Sequence, residues 1–248
     1  ERRLFTPANQ IPDLIKNAFI SAEDKNFYEH PGYDMRGILA ALVDAVQSRG
    51  KRIRGASTIT QQVMKNFLLD RSRRAERKVK EIILATRIER SLTKEQILEL
   101  YLNEIFLGQN SYGVTAASQT YFNKTLDELA PHEAAFLAAL PKAPSDYHPV
   151  REKERLLERR NYVLKEMFQN GYLPKRIYEY ELTQPIKSVQ GRDYTGFRSK
   201  LPSRNYFTDE IRRQLSGTFG EEEFFTGGMT VRSTFDPILQ RKAAMALQ

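Results

Sequence analysis

Apolar residues recur at helical spacing through the first three quarters of this 248-residue chain, and this pattern constrains the fold more than any other feature. Proline, glycine and Ser/Thr capping residues bound several of these segments. The sequence predicts helices over residues 12–24, 59–69, 73–90, 133–140 and 152–170, and one that begins after Thr93 and stops at Gly108. After about residue 183 the pattern changes, and residues 229–235 alternate as in a strand. We therefore predict a mainly α domain over residues 1–185 and a small α+β segment over residues 186–248.

Composition sets limits on the class of protein. The chain has 40% hydrophobic and 28% charged residues, which is an ordinary balance for a globular protein. Cysteine is absent, so a disulfide framework, a thiolate metal site and catalysis through cysteine are excluded. No run of 18 apolar residues occurs, and the chain begins with Glu1. We therefore expect a piece of a longer protein.

Positive charge is concentrated in one segment. The net charge is +8, and residues 49–90 contain 13 basic against 4 acidic residues, which is a local charge of +9. Such a segment attracts phosphate-bearing partners, whether nucleic acid, anionic lipid head groups or a pyrophosphate substrate. Long cationic side chains also cover ordinary helix surfaces, so charge alone does not choose among these interpretations.

A carboxylate pair, Glu23-Asp24, ends the first predicted helix and is followed by Phe27 and Tyr28. The negative end of a helix disfavours a charged carboxylate, and aromatic neighbours add desolvation. Both effects favour a raised pKa of Glu23, as a general base requires. The alternative is a solvated surface acid before a turn. His30 precedes Pro31-Gly32 and is predicted to shape this loop together with Gly32, because a histidine in a turn is more often structural than catalytic.

Charged residues also share one face of the predicted helix 73–90. Arg74, Lys78 and Glu81 lie at i, i+4 and i+7. They form either an intrahelical salt-bridge ladder or a site for an anion, with Glu81 holding the cations or a divalent ion. The stripe predicted to be buried beside them consists of Val79, Ile82, Ile83 and Thr86.

Neutral hydrogen-bonding side chains precede that helix. Residues 57–62 contain Ser57, Thr58, Thr60, Gln61 and Gln62. Thr58 and Gln61 stand three apart in a capping-box arrangement, so these side chains could cap and coat a helix. Thr93 and Gln96 repeat this arrangement before the helix that begins after Thr93. Donors beside a basic segment are also what sugar and phosphate oxygens require. His132 and His148 have no ligand-like neighbours, which argues against a histidine metal site.

Five segments follow one another at short intervals: EDKNFYEHPG from Glu23, GASTITQQ from Gly55, RKVKE from Arg77, LTKEQILELYLN from Leu92 and GQNSYGVTAASQTYFNK from Gly108. Together they resemble the five motifs of the peptidoglycan glycosyltransferase domain of class A penicillin-binding proteins. The resemblance covers residues 1–185 closely. Residues 186–248 are similar to the segment that joins this domain to a transpeptidase.

The resemblance implies a lysozyme-like, α-rich fold and an enzyme that polymerises lipid II into β-1,4-linked glycan strands, with inversion and release of undecaprenyl pyrophosphate. It implies that Glu23 and Glu81 are catalytic. The substrate-binding residues that it implies are Asp24, Arg54, Thr58, Gln61, Gln62, Arg73, Arg77 and Lys78. A divalent cation, Mg or Mn, is expected at Glu81.

The resemblance also implies a location and partners. We expect the periplasmic face of the bacterial inner membrane, with an upstream transmembrane helix as anchor. The expected partners are lipid II, the growing lipid-linked strand, the membrane surface and other cell-wall synthesis proteins, and no nucleic acid is expected. Residues 63–69, with Met64, Phe67, Leu68 and Leu69, are the predicted membrane contact, although helical spacing equally allows them to be core.

Three other interpretations were weighed. Ser91 and Lys94 match the S-x-x-K pattern of penicillin-reactive serines, but no K-T-G or K-S-G follows, so we expect no penicillin binding. A lysozyme-like muramidase would share a catalytic glutamate but has no use for the concentrated positive charge. A nucleic-acid-binding module would explain the charge but not the ordered motifs.

Overall fold

The computed structural model describes residues 2–35, 37, 39, 43, 57–68, 74–194 and 206–220. In these residues the helices are α1 (Asp13–Glu23), α2 (Ile59–Leu68), α3 (Arg74–Ser91), α4 (Lys94–Glu104), α5 (Val114–Phe122), α6 (Pro131–Ala139), α7 (Lys153–Gln169), α8 (Lys175–Leu182) and α9 (Tyr206–Phe219). Two short strands, β1 (Arg2–Arg3) and β2 (Ser111–Tyr112), pair in parallel. The predicted mainly α fold is confirmed.

The centre of the first domain is formed by α1, α6 and α7, which pack on one another. The buried side of α1 consists of Ile15, Ala18, Phe19, Ile20 and Ser21. In α6, every residue from Glu133 to Ala139 is buried, as the alanine-rich sequence predicted. Small side chains allow the helices to approach closely, and the position of the last turn of α1 is therefore fixed by the core.

The helix starts follow the sequence closely in α2 and α4, which pack on each other. At α2, the Thr58 N–H donates to Gln61 Oε1 at 3.3 Å, and the Gln61 N–H donates to Thr58 Oγ1 at 3.2 Å. Thr93 and Gln96 form the same reciprocal pair at α4. Both predicted capping boxes are confirmed.

The predicted stop of α4 at Gly108 is wrong. The helix ends at Glu104, because Ile105 is extended, with ψ 129°, and is buried. Gly108, with φ 81°, belongs to the tight turn that follows, in which Gln109 and Asn110 also have positive φ. Gly108 permits this turn and does not end the helix. A glycine signal fits either role, since a turn and a helix end require the same backbone freedom.

The predicted buried stripe of α3 is also wrong. Val79 and Ile83 are 58% and 47% exposed, whereas Glu81 and Ala85 are buried. The period of the pattern was correct but its phase was not. Gly32 packs directly on the Ala85 backbone, where an added Cβ would lie 2.7 Å from the carbonyl oxygen. This contact turns the Glu81 side of α3 inward.

The chain divides into two compact units, Glu1–Tyr194 and Thr195–Gln248. The first unit thus runs past the boundary predicted near residue 185: Ile186 is buried, and the Tyr194 hydroxyl donates to Glu133 at 2.9 Å. The boundary itself stays a prediction. In the second unit the structure describes α9, and the strand predicted over residues 229–235 lies outside the described residues.

Among the residues that the structure describes, no helix combines the length and the apolar character that a membrane crossing requires.

Candidate active site

Glu23 lies in the last turn of α1, and its side chain is 13% exposed. The Gln62 side-chain amide donates to Glu23 Oε2 at 2.9 Å, and Arg159 Nη2 lies 3.6 Å from Oε1. Burial is the largest influence on this carboxyl group and raises its pKa above the ordinary value, while Gln62, Arg159 and Lys142 act in the opposite direction. A raised pKa with an accessible edge is the chemistry of a general base.

Asp24 is buried directly beside it and holds the loop that follows α1. The Asp24 carboxylate accepts hydrogen bonds from His30 Nε2 at 2.9 Å and from the N–H of Ile59, the first residue of α2, also at 2.9 Å. The N–H of Gly32 donates to His30 Nδ1 at 3.1 Å. Nδ1 is therefore the acceptor nitrogen, and the single ring proton is at Nε2. A histidine held on both nitrogens shapes this loop and has no nitrogen left to act as a base.

The turn at Gly32 brings three segments together. Its φ is +96°, and its carbonyl oxygen accepts a hydrogen bond from Thr58 Oγ1 at 2.7 Å. Thr58 is therefore committed to α2 and to the loop, because its hydroxyl also caps Gln61. Glycine is required here, since a side chain would meet both the positive φ and the Ala85 backbone.

A second charged group, Lys78 and Glu81, contacts the start of α2 through Gln61. The Lys78 ammonium donates to Ser57 Oγ at 2.9 Å, to Gln61 Oε1 at 3.2 Å and to Glu81 Oε2 at 3.1 Å. The Lys78 side chain is 45% exposed, whereas the Glu81 side chain is 7% exposed. The ammonium is therefore held by three acceptors, while the side chain stays partly open to solvent.

Consecutive residues of α2 join these two groups. Gln62 contacts Glu23, and Gln61 contacts Lys78. The base and the cation therefore both contact the first turn of α2. Gln61 Nε2 is buried without a hydrogen-bond partner in the described part of the chain.

The remaining predicted cations are not placed. Arg54 and Arg73 lie outside the described residues, as does the side chain of Arg77. Their assignment to the substrate stays a prediction.

Sequence reasoning missed several residues that support the site. Lys94 donates to Glu89 Oε1 and to the His30 carbonyl oxygen, both at 2.7 Å, and Thr60 Oγ1 donates to the same Glu89 oxygen at 2.6 Å. Lys94 is thus a structural cation and not part of a reactive S-x-x-K group; Ser91 donates instead to the Arg87 carbonyl oxygen. Arg159 was missed because nothing local distinguishes it from the other arginines of α7.

The described residues offer few ligands for a divalent cation. Among the described residues there is no group of three or more His, Cys, Asp or Glu side chains that could hold a metal. Glu81 offers one carboxylate, which already accepts the Lys78 ammonium. Magnesium is commonly held by one or two carboxylates together with substrate phosphates. Glu81 therefore fits an ion that a phosphate substrate helps to hold, and it does not fit a metal centre built from protein ligands alone.

The predicted membrane contact at residues 63–69 requires correction. Val63 and Met64 are buried in the core. The side chains of Phe67 and Leu68, and all of Leu69, lie outside the described residues. Apolar residues exposed near the site occur instead on α3, at Val79 and Ile83.

A further group of exposed apolar residues precedes α2 in the sequence. Met35, Leu39 and Val43 are each in helical conformation and each more than half exposed. Exposed large apolar side chains that lie close together in the sequence are candidates for a contact surface.

The chain is similar in sequence to known proteins. A family model described as transglycosylase matches residues 1–168. Penicillin-binding protein 1A of Rickettsia felis is 44% identical over 251 residues, which cover 100% of this chain and 31% of that protein. Penicillin-binding protein 1A of Aquifex aeolicus is 40% identical over 248 residues, which cover 100% and 33%.

Among solved structures, the crystal structure of penicillin-binding protein 1A from Haemophilus influenzae matches with a TM-score of 0.49 and 30% identity, covering 90% of this chain and 22% of that one. The chain spans about a third of the length of the curated relatives it matches. Since the family model covers most of the chain, with Glu23, Gln62, Lys78 and Glu81 inside the match, the chain belongs to the transglycosylase family.

Proposed function

We propose that this domain polymerises lipid II into β-1,4-linked glycan strands. One observation carries the proposal: adjacent glutamines of α2 connect a desolvated carboxylate, Glu23, to an open ammonium group, Lys78. A glycosyl transfer from a lipid pyrophosphate requires both, because a hydroxyl must lose a proton while a pyrophosphate gains charge.

In the proposed reaction, Glu23 accepts the proton of the acceptor sugar hydroxyl. The hydroxyl oxygen forms a bond to the anomeric carbon of the growing strand, and the bond from that carbon to the pyrophosphate oxygen breaks. The electron pair of the broken bond leaves with undecaprenyl pyrophosphate. Attack in line with the leaving group converts an α-linked donor into a β-linked product, so the reaction inverts.

Lys78 stabilises the departing pyrophosphate in this proposal. Its ammonium is oriented by Ser57, Gln61 and Glu81 before the substrate arrives, and preorganised charge of this kind is the most effective form of electrostatic catalysis. Arg54, Arg73 and Arg77 are the further cations proposed for this anion. A divalent cation bound by Glu81 and the pyrophosphate oxygens would supply additional charge neutralisation there.

The hydrogen bonds of the other predicted site residues favour supporting roles. Asp24, His30 and Gly32 maintain the loop after α1, and Thr58 and Gln61 fix the start of α2. Gln62 orients Glu23. We therefore propose that Asp24 and Thr58 support the site and do not contact the substrate directly.

A lipid-linked substrate places the reaction at a membrane surface. We propose the periplasmic face of the bacterial inner membrane, with other cell-wall synthesis proteins as partners. The exposed apolar residues Val79 and Ile83 on α3 lie on the same helix as Lys78, so acyl contact and pyrophosphate contact are compatible.

Labelled lipid II in detergent or vesicles tests the proposed function. The expected product is glycan polymer, formed roughly 10²- to 10⁴-fold more slowly by Glu23→Gln. Digestion of finished glycan strands without polymerisation would instead mean a muramidase, and failure to use either substrate would contradict the proposal.

A further inference from the structure

Arg159 reaches from the middle of α7 to the last turn of α1. Its Nη2 lies 3.4 Å from the carbonyl oxygen of Ala22 and 3.6 Å from Glu23 Oε1. The guanidinium also lies over the Tyr162 ring, 4.8 Å from the ring centre. The Arg159 side chain is 14% exposed, and its Nε is buried with no hydrogen-bond partner in the described part of the chain. This is a confined cation and not a mobile surface group.

The contact with Ala22 concerns the end of the helix. The last carbonyl groups of a helix lack intrahelical donors and carry its partial negative charge. An arginine at this end supplies a donor and offsets that charge, which would otherwise oppose an ionised carboxylate one residue later.

Several charged and titratable groups lie around Glu23. Asp24 is its neighbour in the chain and repels a second negative charge, and Lys142, in the loop after α6, attracts it from farther away. Tyr101 on α4 is fully buried, with its pKa raised well above the ordinary value mainly by burial, so its hydroxyl is neutral. In the portion of the chain that the structure describes, Arg159 is therefore the cation within ion-pair distance of Glu23.

We propose that Arg159 is a positioning residue for Glu23: it holds the carboxylate and the last turn of α1 in the arrangement from which the acceptor proton is removed. The proposal rests on the proposed function of Glu23 as the base. Arg159 does not touch the reacting atoms in this account. It acts by keeping a desolvated carboxylate ionised and by fixing its orientation opposite Gln62.

The neighbouring arginine, Arg160, has a different structural role from Arg159. Arg160 is fully buried, and it donates to the carbonyl oxygens of Gln184 at 2.6 Å and Leu182 at 3.4 Å. Arg160 therefore ties the end of α8 to α7. Arg155, one turn earlier on α7, is 57% exposed and pairs only at the surface, with Asp146 at 3.6 Å and Glu152 at 3.8 Å. Arg155 is the matched control.

The test replaces the charge and keeps the length of the side chain. Arg159→Met is expected to lower kcat for lipid II polymerisation about tenfold or more near neutral pH, with KM changed less than twofold. The acidic limb of the kcat profile is expected to move to higher pH, so that the loss shrinks as the pH rises. Arg159→Lys should recover part of the rate, and Arg155→Met should behave as wild type.

A second measurement does not depend on activity. In ¹³C-glutamate-labelled protein, the carboxyl resonance of Glu23, assigned by its loss in Glu23→Gln, should titrate at higher pH in Arg159→Met than in wild type or Arg155→Met. If Arg159→Met does not fold, Arg159→Gln carries the same two expectations.

Three results would overturn the proposal: a loss of rate that is equal at every pH, a raised KM with unchanged kcat, or an unchanged Glu23 titration. Absence of polymerisation by the wild-type domain would instead overturn the proposed function. The titration would still report whether Arg159 controls the Glu23 carboxyl group.

Discussion

The two charged groups beside α2 are built differently. Glu23 is enclosed by contacts between residues far apart in the chain, from α1, α2 and α7, and is 13% exposed. Lys78 pairs with Glu81 three residues away on the same helix and is 45% exposed. The protonation of the base is thus set by the protein before a substrate arrives, whereas the cation is left available for a ligand. One site can thus combine a buried proton acceptor with a solvent-exposed cation.

The largest expected effect is at the closed side. Glu23→Gln should lower polymerisation by roughly 10²- to 10⁴-fold, because the amide has nearly the same shape but does not accept the proton. Its melting temperature should equal or exceed that of wild type, since the buried charge is removed and burial raises the pKa of Glu23 in the fold. A labelled lipid II assay and a thermal melt check both. A Gln variant with more than half the wild-type rate would show that Glu23 is not the base.

Asp24→Asn separates the support of the site from its chemistry. The amide weakens the interaction with His30 and the start of α2, so we expect a lower melting temperature and a smaller loss of rate than for Glu23→Gln. Chemical denaturation and the same polymerisation assay measure the two effects. A rate loss equal to that of Glu23→Gln in a fully folded protein would place Asp24 in the reaction itself.

The open side should respond to loss of one cation. Lys78→Ala is expected to lower turnover tenfold or more, because its ammonium faces the developing pyrophosphate charge. Arg90→Ala, at the exposed end of the same helix, is the matched control and should be nearly silent. Steady-state kinetics on lipid II compare them. Similar losses in both variants would mean that bulk positive charge, and not the fixed position of Lys78, matters.

A smaller effect concerns the loop that closes the Glu23 side. Gly32→Ala should cost about 2 kcal/mol or more of folding free energy, because its φ is +96° and the new Cβ would meet the Ala85 backbone. Gly171→Ala, at φ +78° with nothing within 4 Å, isolates the backbone strain and should cost about 1 kcal/mol. Denaturant unfolding measures both. Equal costs would show that the contact with α3 does not fix the loop.

The smallest effect is expected at the outer face of α3. Val79→Ser with Ile83→Ser should weaken binding to anionic vesicles several-fold without a change in melting temperature, because both side chains are exposed. Met64→Ser, which alters the core, should lower the melting temperature instead. Vesicle flotation and thermal melts distinguish them. Unchanged vesicle binding by the double variant would remove α3 from the membrane contact.

The sequence allowed prediction of what local chemistry determines. The end of α1 at the Glu23-Asp24 pair, within one residue of the prediction, and both capping boxes follow from spacing and side-chain type. The phase of α3 could not be predicted, because apolar residues lie around most of the helix and contacts with distant segments, such as that between Gly32 and Ala85, select the buried side. Arg159 could not be found either, since its contact joins positions that are brought together only by the packing of α1 on α7.

The pH dependence of polymerisation tests the central claim, that a carboxyl group with a raised pKa at Glu23 is the base. A base works in its ionised form, so the wild-type rate should fall as the pH falls through that raised pKa. The residual rate of Glu23→Gln, measured over the same range, should be independent of pH because no group at this position then titrates. If the Gln variant shows the same acidic limb as wild type, Glu23 is not the base.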